Sequence, residues 1–368
     1  MKDNGTRLAA IFLIVAAAFS ALTVYAFSSD KPSVSADAAA LYEPERGTFL
    51  YEKNLNKRLP MASTTKIVTA LIALENLPPD KIITVDDRAV GTDGSSIYLE
   101  HGEAMDAESL IYALMLSSAN DAAEALAYEI SGSIDSFSLL MNERAKALGA
   151  KDTSFKNPHG LDAKDHYTTA HDLALITAKA LENEAFVKIC STYKKTVTSN
   201  LKERTLTNHN KLLNLYDDAI GVKTGYTSLS GRSLVGAARK DGVTLISVTI
   251  NAPDDWNDHI SLLNYGFNNV KSEILLKENE LLYEIPVLGG NIGQVKISNK
   301  SEIKITYIKK PNVRRHVELN RYFNAPIRCG DVLGRVYFTD GDNVIASTEL
   351  VSLTDVNKKP SFFERIFG

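Results

Sequence analysis

The spacing of apolar residues changes once along this chain, near residue 272, and that change restricts the folds open to it. Before it, apolar side chains recur at three- and four-residue intervals over several long stretches, the mark of amphipathic helices. After it only short β-type runs follow: Leu281 to Pro286, Asn291 to Ile297, Ile303 to Ile308, Val332 to Phe338 and Asn343 to Ser347. Turn signals such as Leu288-Gly289-Gly290 and Gly330-Asp331 separate them. A chain of 368 residues is also longer than one core usually supports. The expectation is an α+β domain over residues 39–271, followed by a small all-β domain, a sandwich or barrel, over residues 272–355.

Within the first domain, Ser63 opens a helix whose Ile67, Val68, Ala70, Leu71 and Leu74 form an apolar stripe, and Pro78-Pro79 ends it. Helices are also expected over Asp106 to Leu116, Ala122 to Ile130, from Ser133 to before Gly149, over Thr169 to Leu181 and over His259 to Phe267. Strand signals stand at Ala40, with a turn at Pro44 to Gly47, and at Phe49-Leu50-Tyr51. Arg232 to Arg239 and Val243 to Ile250 flank Asp241-Gly242, a hairpin signal.

The two ends carry signals of their own. Lys2 and Arg7 precede an uncharged apolar run from Leu8 to Phe27, and Ala26 and Ala38 are both plausible cleavage positions. Residues 1–38 read as a secretory signal peptide, with a retained membrane anchor as the alternative. Either reading places the rest outside the cytoplasm, at the outer face of the membrane or in the wall. Over residues 356–368, Phe362, Phe363, Ile366 and Phe367 fall on one helical face beside basic residues, which suits an interfacial helix on a membrane surface. A disordered or domain-packed tail is the other reading.

A formal net charge of −4 argues against a nucleic-acid partner, which calls for a basic excess. Cys190 and Cys329 fit no metal or CxxC pattern and read as unpaired thiols. The seven histidines show no HExxH spacing. No metal and no cofactor is expected.

Three short motifs carry chemistry. In Ser63-Thr64-Thr65-Lys66 the serine and lysine share a helix face. A serine hydroxyl is a weak nucleophile that needs a proton acceptor, and a lysine serves when burial or a second cation lowers its pKa. Ser118-Ala119-Asn120 lies in a polar break between two helical patterns, so both polar side chains can face one cleft. Lys223-Thr224-Gly225, leading into Tyr226, precedes the hairpin; Gly225 allows close approach of another backbone, and Lys223 with Thr224 can hold a carboxylate. Each motif alone is common, and each has a bland reading as a surface helix, a loop cap or a strand edge. The three in order are another matter, since SxxK with KTG marks the penicillin-binding proteins and class A β-lactamases.

On these residues the sequence resembles the low-molecular-mass penicillin-binding proteins that act as serine-type D-Ala-D-Ala carboxypeptidases. The likeness extends over Ala62 to Ala70, Gly94-Ser95-Ser96-Ile97-Tyr98-Leu99, Leu116 to Ala123, Phe155 to Asp162 and Gly221 to Thr227. It covers about Ala39 to Val270, and more loosely the β-rich remainder. It implies a DD-peptidase/β-lactamase-like domain, an antiparallel sheet flanked by helices with a helical cluster, ahead of the all-β domain. It implies that Ser63 is acylated, Lys66 is the general base and Ser118 shuttles protons. Asn120 would bind the substrate backbone, Lys223 and Thr224 the terminal carboxylate, Gly225 and Tyr226 would belong to the same substrate site, and the Ser63 and Tyr226 N–H groups would form the oxyanion hole. The implied partners are peptidoglycan stem peptides ending in D-Ala-D-Ala, and β-lactams as covalent inhibitors. Leu229-Ser230-Gly231 departs from the family's usual Ala-Gly and leaves the lip of the cleft open to question. His159 reads as a structural turn residue beside Pro158 and Gly160. The competing readings are a β-lactamase, for which no Glu-x-x-x-Asn deacylation setting is found between Ser131 and Arg204, and a non-catalytic wall-binding protein, which the intact motif residues oppose.

Overall fold

The computed structural model describes residues 31–359. The apolar run Leu8 to Phe27 and the aromatic tail from Phe362 to Phe367 lie outside the described residues. Among the described residues no helix is long and apolar enough to cross a membrane. The chain forms two compact units, the second beginning at Asn269 and also taking in the hairpin tips Glu45–Thr48 and Arg239–Thr244.

The first unit is built on a five-stranded sheet. β1 (Ala38–Glu43) and β2 (Thr48–Lys53) form a hairpin near the N-terminus. β3 (Ile82–Thr84) with β4 (Ala104–Asp106), and β5 (Lys194–Thr198) with β6 (Glu203–Thr207), form separate two-stranded ribbons. β7 (Ala219–Thr227), β8 (Gly231–Lys240) and β9 (Val243–Ile250) complete the sheet in the order β2-β1-β9-β8-β7. β1 pairs antiparallel with β9, and β8 with β7, which leaves β7 at an edge.

Both faces of the central strands are covered, and the period of two sorts their side chains. Ala38, Ala40, Tyr42, Ile246, Val248 and Ile250 face the main core. That core is shared with α1 (Lys66–Asn76), α2 (Ala107–Leu116), α3 (Asn120–Ser131), α4 (Ile134–Ala147), α5 (Ala170–Leu181) and α6 (Glu184–Ser191). The alternate residues Ser247 and Thr249 face α7 (Asp255–Asn269), whose His259 bonds to both hydroxyls at 2.7 and 2.9 Å. Capping explains several helix starts. Asp106, Ser133 and Thr169 each accept a backbone N–H of the first turn, and α3 ends on Gly132 at φ +71°.

The second unit is all β. β10 (Lys271–Leu276) pairs with β13 (Ile303–Tyr307). β11 (Leu282–Leu288), β12 (Gln294–Asn299), β14 (Val313–Leu319), β15 (Phe323–Asn324), β16 (Val332–Asp340) and β17 (Asn343–Ser352) form a sheet in the order β14-β16-β17-β12-β11-β15. Its core includes Val287, Val295, Ile297, Phe338 and Leu350. Four of the five short runs expected there lie largely within strands; the fifth, Asn291 to Ile297, enters its strand only at Gln294. β14 was not among them, because Arg314, Arg315 and His316 are exposed on an edge and show no apolar alternation.

Candidate active site

The Ser63–Lys66 pair is set by a tight turn rather than a regular helix. Residues Ala62–Thr65 form a 3-10 turn, and α1 begins only at Lys66, which corrects the expectation that Ser63 opens the α-helix. The cause is local: the Thr64 and Thr65 hydroxyls donate back to the carbonyls of Met61 and Ala62 at 2.6 and 2.8 Å, competing with the helical ladder. In a 3-10 turn positions i and i+3 eclipse. Lys66 Nζ accordingly lies 3.0 Å from Ser63 Oγ.

The Lys66 amine is wholly buried, and two more oxygens surround it. Nζ donates to Asn120 Oδ1 at 2.7 Å and to the His159 carbonyl at 2.6 Å. A neutral amine has two N–H groups and one lone pair. With its N–H groups held by these two acceptors, the lone pair is left for the Ser63 hydroxyl. Burial pushes the Lys66 pKa well below the ordinary lysine value; the nearby Lys223 charge adds to this and Asp121 opposes it.

Ser118 lies in the break between α2 and α3 at φ +57°, a left-handed conformation that costs a non-glycine residue about 1–3 kcal/mol. Its hydroxyl has no hydrogen-bond partner among the described residues, and it lines the same cleft as Ser63. Asn120 opens α3; its N–H donates to the Ser95 carbonyl at 2.7 Å and its Nδ2 to the Asp93 carbonyl at 2.6 Å. The following Asp121 carboxylate accepts from Ser96 Oγ, Ile97 N and Leu99 N at 2.6, 3.2 and 2.9 Å. One turn of helix therefore fixes both a lysine partner and the Gly94–Leu99 loop.

β7 supplies the opposite wall. Lys223 is buried, which pushes its pKa down to about 7, and its Nζ donates to the Thr224 carbonyl at 3.0 Å. Thr224, Gly225 and Tyr226 line the cleft, whose volume is about 550 Å³. Gly225 lies close against the Ser63 turn: a Cβ there would stand 3.0 Å from Ser63 N, 3.1 Å from Ala62 Cβ and 3.2 Å from the Met61 carbonyl oxygen. The questioned lip is ordered: Thr227 and Ser230 exchange side-chain-to-backbone bonds at 3.0 Å, and Thr227 Oγ1 donates to Asp162 at 2.8 Å.

All eight motif residues thus gather at one place, six of them within reach of Ser63 along the cleft or through Lys66. Ser95, from the Gly94–Leu99 segment, lines the cleft as well, and so do His209, Lys211, Arg232, Asp255 and Trp256, which sequence reasoning gave no place in the site. Arg232 follows the departing Ser230-Gly231 and lies opposite Tyr226 in register. Its Nη2 donates to the buried Asp255 carboxylate at 2.6 Å, and its guanidinium stands 5.8 Å from the Trp256 ring. The only trace of this in the sequence is the chain's single tryptophan in a polar stretch. Of the thiols, Cys190 is buried and Cys329 exposed, and neither is bonded to the other. Among the described residues no group of three or more metal-ligating side chains gathers.

A serine hydroxyl 3.0 Å from a buried lysine amine, walled by an edge strand, is an arrangement suited to serine acyl transfer. Comparison with known proteins narrows this. Residues 25–254 match the model of the D-alanyl-D-alanine carboxypeptidase family, peptidase S11, and residues 271–358 match that of the penicillin-binding protein 5 C-terminal domain. The chain is 33% identical to D-alanyl-D-alanine carboxypeptidase DacF of Bacillus subtilis, over 90% of this chain and 89% of that one. It is 32% identical to D-alanyl-D-alanine carboxypeptidase DacC of Escherichia coli, over 97% and 92%. Penicillin binding protein 5 of Haemophilus influenzae superposes with a TM-score of 0.66 at 29% identity, covering 90% of this chain and all of that one. The chain belongs to the serine-type D-alanyl-D-alanine carboxypeptidases.

Proposed function

We propose that this protein removes the terminal D-alanine from peptidoglycan stem peptides through an acyl-enzyme on Ser63, and that β-lactams acylate the same hydroxyl. The observation that carries the reading is the Lys66 amine, 3.0 Å from Ser63 Oγ and held by two other oxygens. Lys66 takes the Ser63 proton as Oγ bonds to the penultimate D-alanine carbonyl. The negative charge on that oxygen is met by the Ser63 and Tyr226 N–H groups; one such donor typically contributes about 2.7–4 kcal/mol. The C–N bond then breaks, and the proton passes by way of Ser118 to the leaving amine. Water, deprotonated by the same lysine, cleaves the ester and restores Ser63. Lys223 and Thr224 hold the terminal carboxylate, Gly225 lets the strand lie against the nucleophile turn, and Asn120 keeps one amide N–H for the substrate backbone.

We place the catalysis in residues 39–271 and read residues 272–355 as an accessory β domain. The apolar N-terminal run exports the chain to the outer face of the membrane, as signal or anchor, and the aromatic tail of residues 356–368 holds it to the membrane surface. The test is labelling with a fluorescent penicillin together with release of D-alanine from a stem-peptide mimic. Wild type is expected to do both and Ser63→Ala neither. Equal labelling of the two proteins rejects Ser63 as nucleophile, and rapid penicillin turnover rejects the carboxypeptidase reading in favour of a β-lactamase.

A further inference from the structure

His159 does more than turn the chain. Its carbonyl accepts one of the two N–H bonds that aim the Lys66 amine, at 2.6 Å. Its ring is buried, and the two ring nitrogens are engaged separately. Nδ1 accepts the Leu161 N–H at 3.2 Å, so the neutral ring carries its hydrogen on Nε2. Nε2 lies 3.3 Å from Glu124 Oε1, with only 8% of one side chain and 14% of the other exposed. Glu124 is four residues on from Asn120, on the same face of α3. Asn120 Oδ1 is the other acceptor of the amine, at 2.7 Å. The helix α3 therefore reaches Lys66 twice, directly through Asn120 and indirectly through Glu124 and His159.

We propose that Glu124 and His159 form a positioning pair for the proton-accepting amine: the carboxylate holds the imidazole, and with it the carbonyl that points Lys66 at Ser63. This rests on the reading of Lys66 given above. Neither side chain lines the cleft, so the pair acts through Lys66 and not on substrate. The rest of the loop is anchored to α1, by the Thr69 hydroxyl on the Pro158 carbonyl at 2.6 Å, and to itself, by Asn157 Oδ1 on Gly160 N at 2.7 Å. Among the described residues, the His159 ring is the one side chain of this loop that reaches a polar partner on α3 close to Asn120. The charged and titratable groups that face this assembly are Lys223 from β7, Asp121 and Glu124 from α3, Lys66 from α1 and His166 beyond the loop.

The experiment follows acylation of Ser63 by a fluorescent penicillin on the full chain as a function of pH. Glu124→Ala is expected to lower the plateau rate roughly ten- to a hundredfold, the scale of a misplacement of about 1 Å. It should also move the acid limb to lower pH, because the ammonium form loses a nearby negative charge and a fixed acceptor. Glu124→Gln keeps an oxygen for Nε2–H; it should retain most of the plateau while the limb still moves. His159→Phe, which keeps a ring and removes both nitrogen bonds, should lower the plateau as Glu124→Ala does. A Glu124→Ala plateau within about twofold of wild type overturns the proposal. So does a fall in rate with the limb unmoved and Glu124→Gln equally slow, which is the mark of general structural support. If Glu124→Ala has no cooperative melt, a wild-type plateau in His159→Phe overturns it alone. Wild type that is never labelled at Ser63 rejects the reading of the site itself, and the proposal with it.

Discussion

Replacing Gly160 by alanine is a one-methyl change outside the three motifs that should disable the site. Gly160 has φ +92°, and a Cβ placed on it would lie 1.9 Å from the Ala62 carbonyl oxygen and 2.9 Å from Thr65 Oγ1. The first contact is with backbone, so no side-chain rotation relieves it. An ordinary close contact is about 3.2 Å, so loop and nucleophile turn must part by roughly 1.3 Å. The left-handed backbone adds about 1–2 kcal/mol for a residue with a Cβ. The loop that moves carries the His159 carbonyl, and the turn that moves carries Ser63 next to Ala62. A misplacement of this size costs on the order of 100-fold in rate. With a total destabilisation of about 3 kcal/mol, the melting temperature should fall by roughly 6–12 °C. Stopped-flow acylation by a fluorescent penicillin, beside calorimetry, measures both. Acylation within about threefold of wild type, with an unchanged melting temperature, would refute the argument that this loop seats the nucleophile turn and its lysine.

Lys223→Met should abolish D-alanine release yet raise the melting temperature at neutral pH. Burial lowers the Lys223 pKa from 10.5 to about 7, so the unfolded chain binds more protons between these values and wild-type stability rises with pH there. The gain from the substitution is therefore largest below pH 7 and fades toward 10.5, which calorimetry across that range checks. His259 behaves with the same sign at lower pH. Buried between Ser247 and Thr249, its pKa is pushed down to about 3 from 6.5, so its contribution to stability is intact above 6.5 and is lost as pH falls through 3. His259→Gln should be less stable at neutral pH and show a shallower acid loss; an acid loss as steep as wild type in urea titrations would exclude His259 as a contributor.

Much of this protein could be read from the residues in order. Helical stripes give way to β runs near residue 272, because a helix and a strand impose different periods on whatever face they bury. Some elements escaped for different reasons. The ribbon of β5 and β6 carries charged and threonine residues on exposed positions and leaves no pattern that rises above its surroundings. α6 buries Phe186, Ile189 and Cys190, but at eight residues it is too short to show a repeated stripe.

The site divides in the same way. Ser63, Lys66, Ser118, Asn120, Lys223, Thr224, Gly225 and Tyr226 could be proposed from the sequence because each motif is a short local arrangement. What the local sequence did not contain is who surrounds Lys66. Its acceptors come from 54 and 93 residues away, one of them a main-chain carbonyl that no side-chain identity announces. Arg232, Asp255 and Trp256 reach the cleft only because β8 pairs with β7 and α7 starts beside them. The sequence by itself determined the chemical groups and the order of the elements, since periodicity and motif spacing are properties of neighbours along the chain. The tertiary structure decided which of those groups are desolvated together. That decides whether a lysine stays an ammonium ion or accepts a proton from serine, because charge in a buried site depends on everything that packs around it.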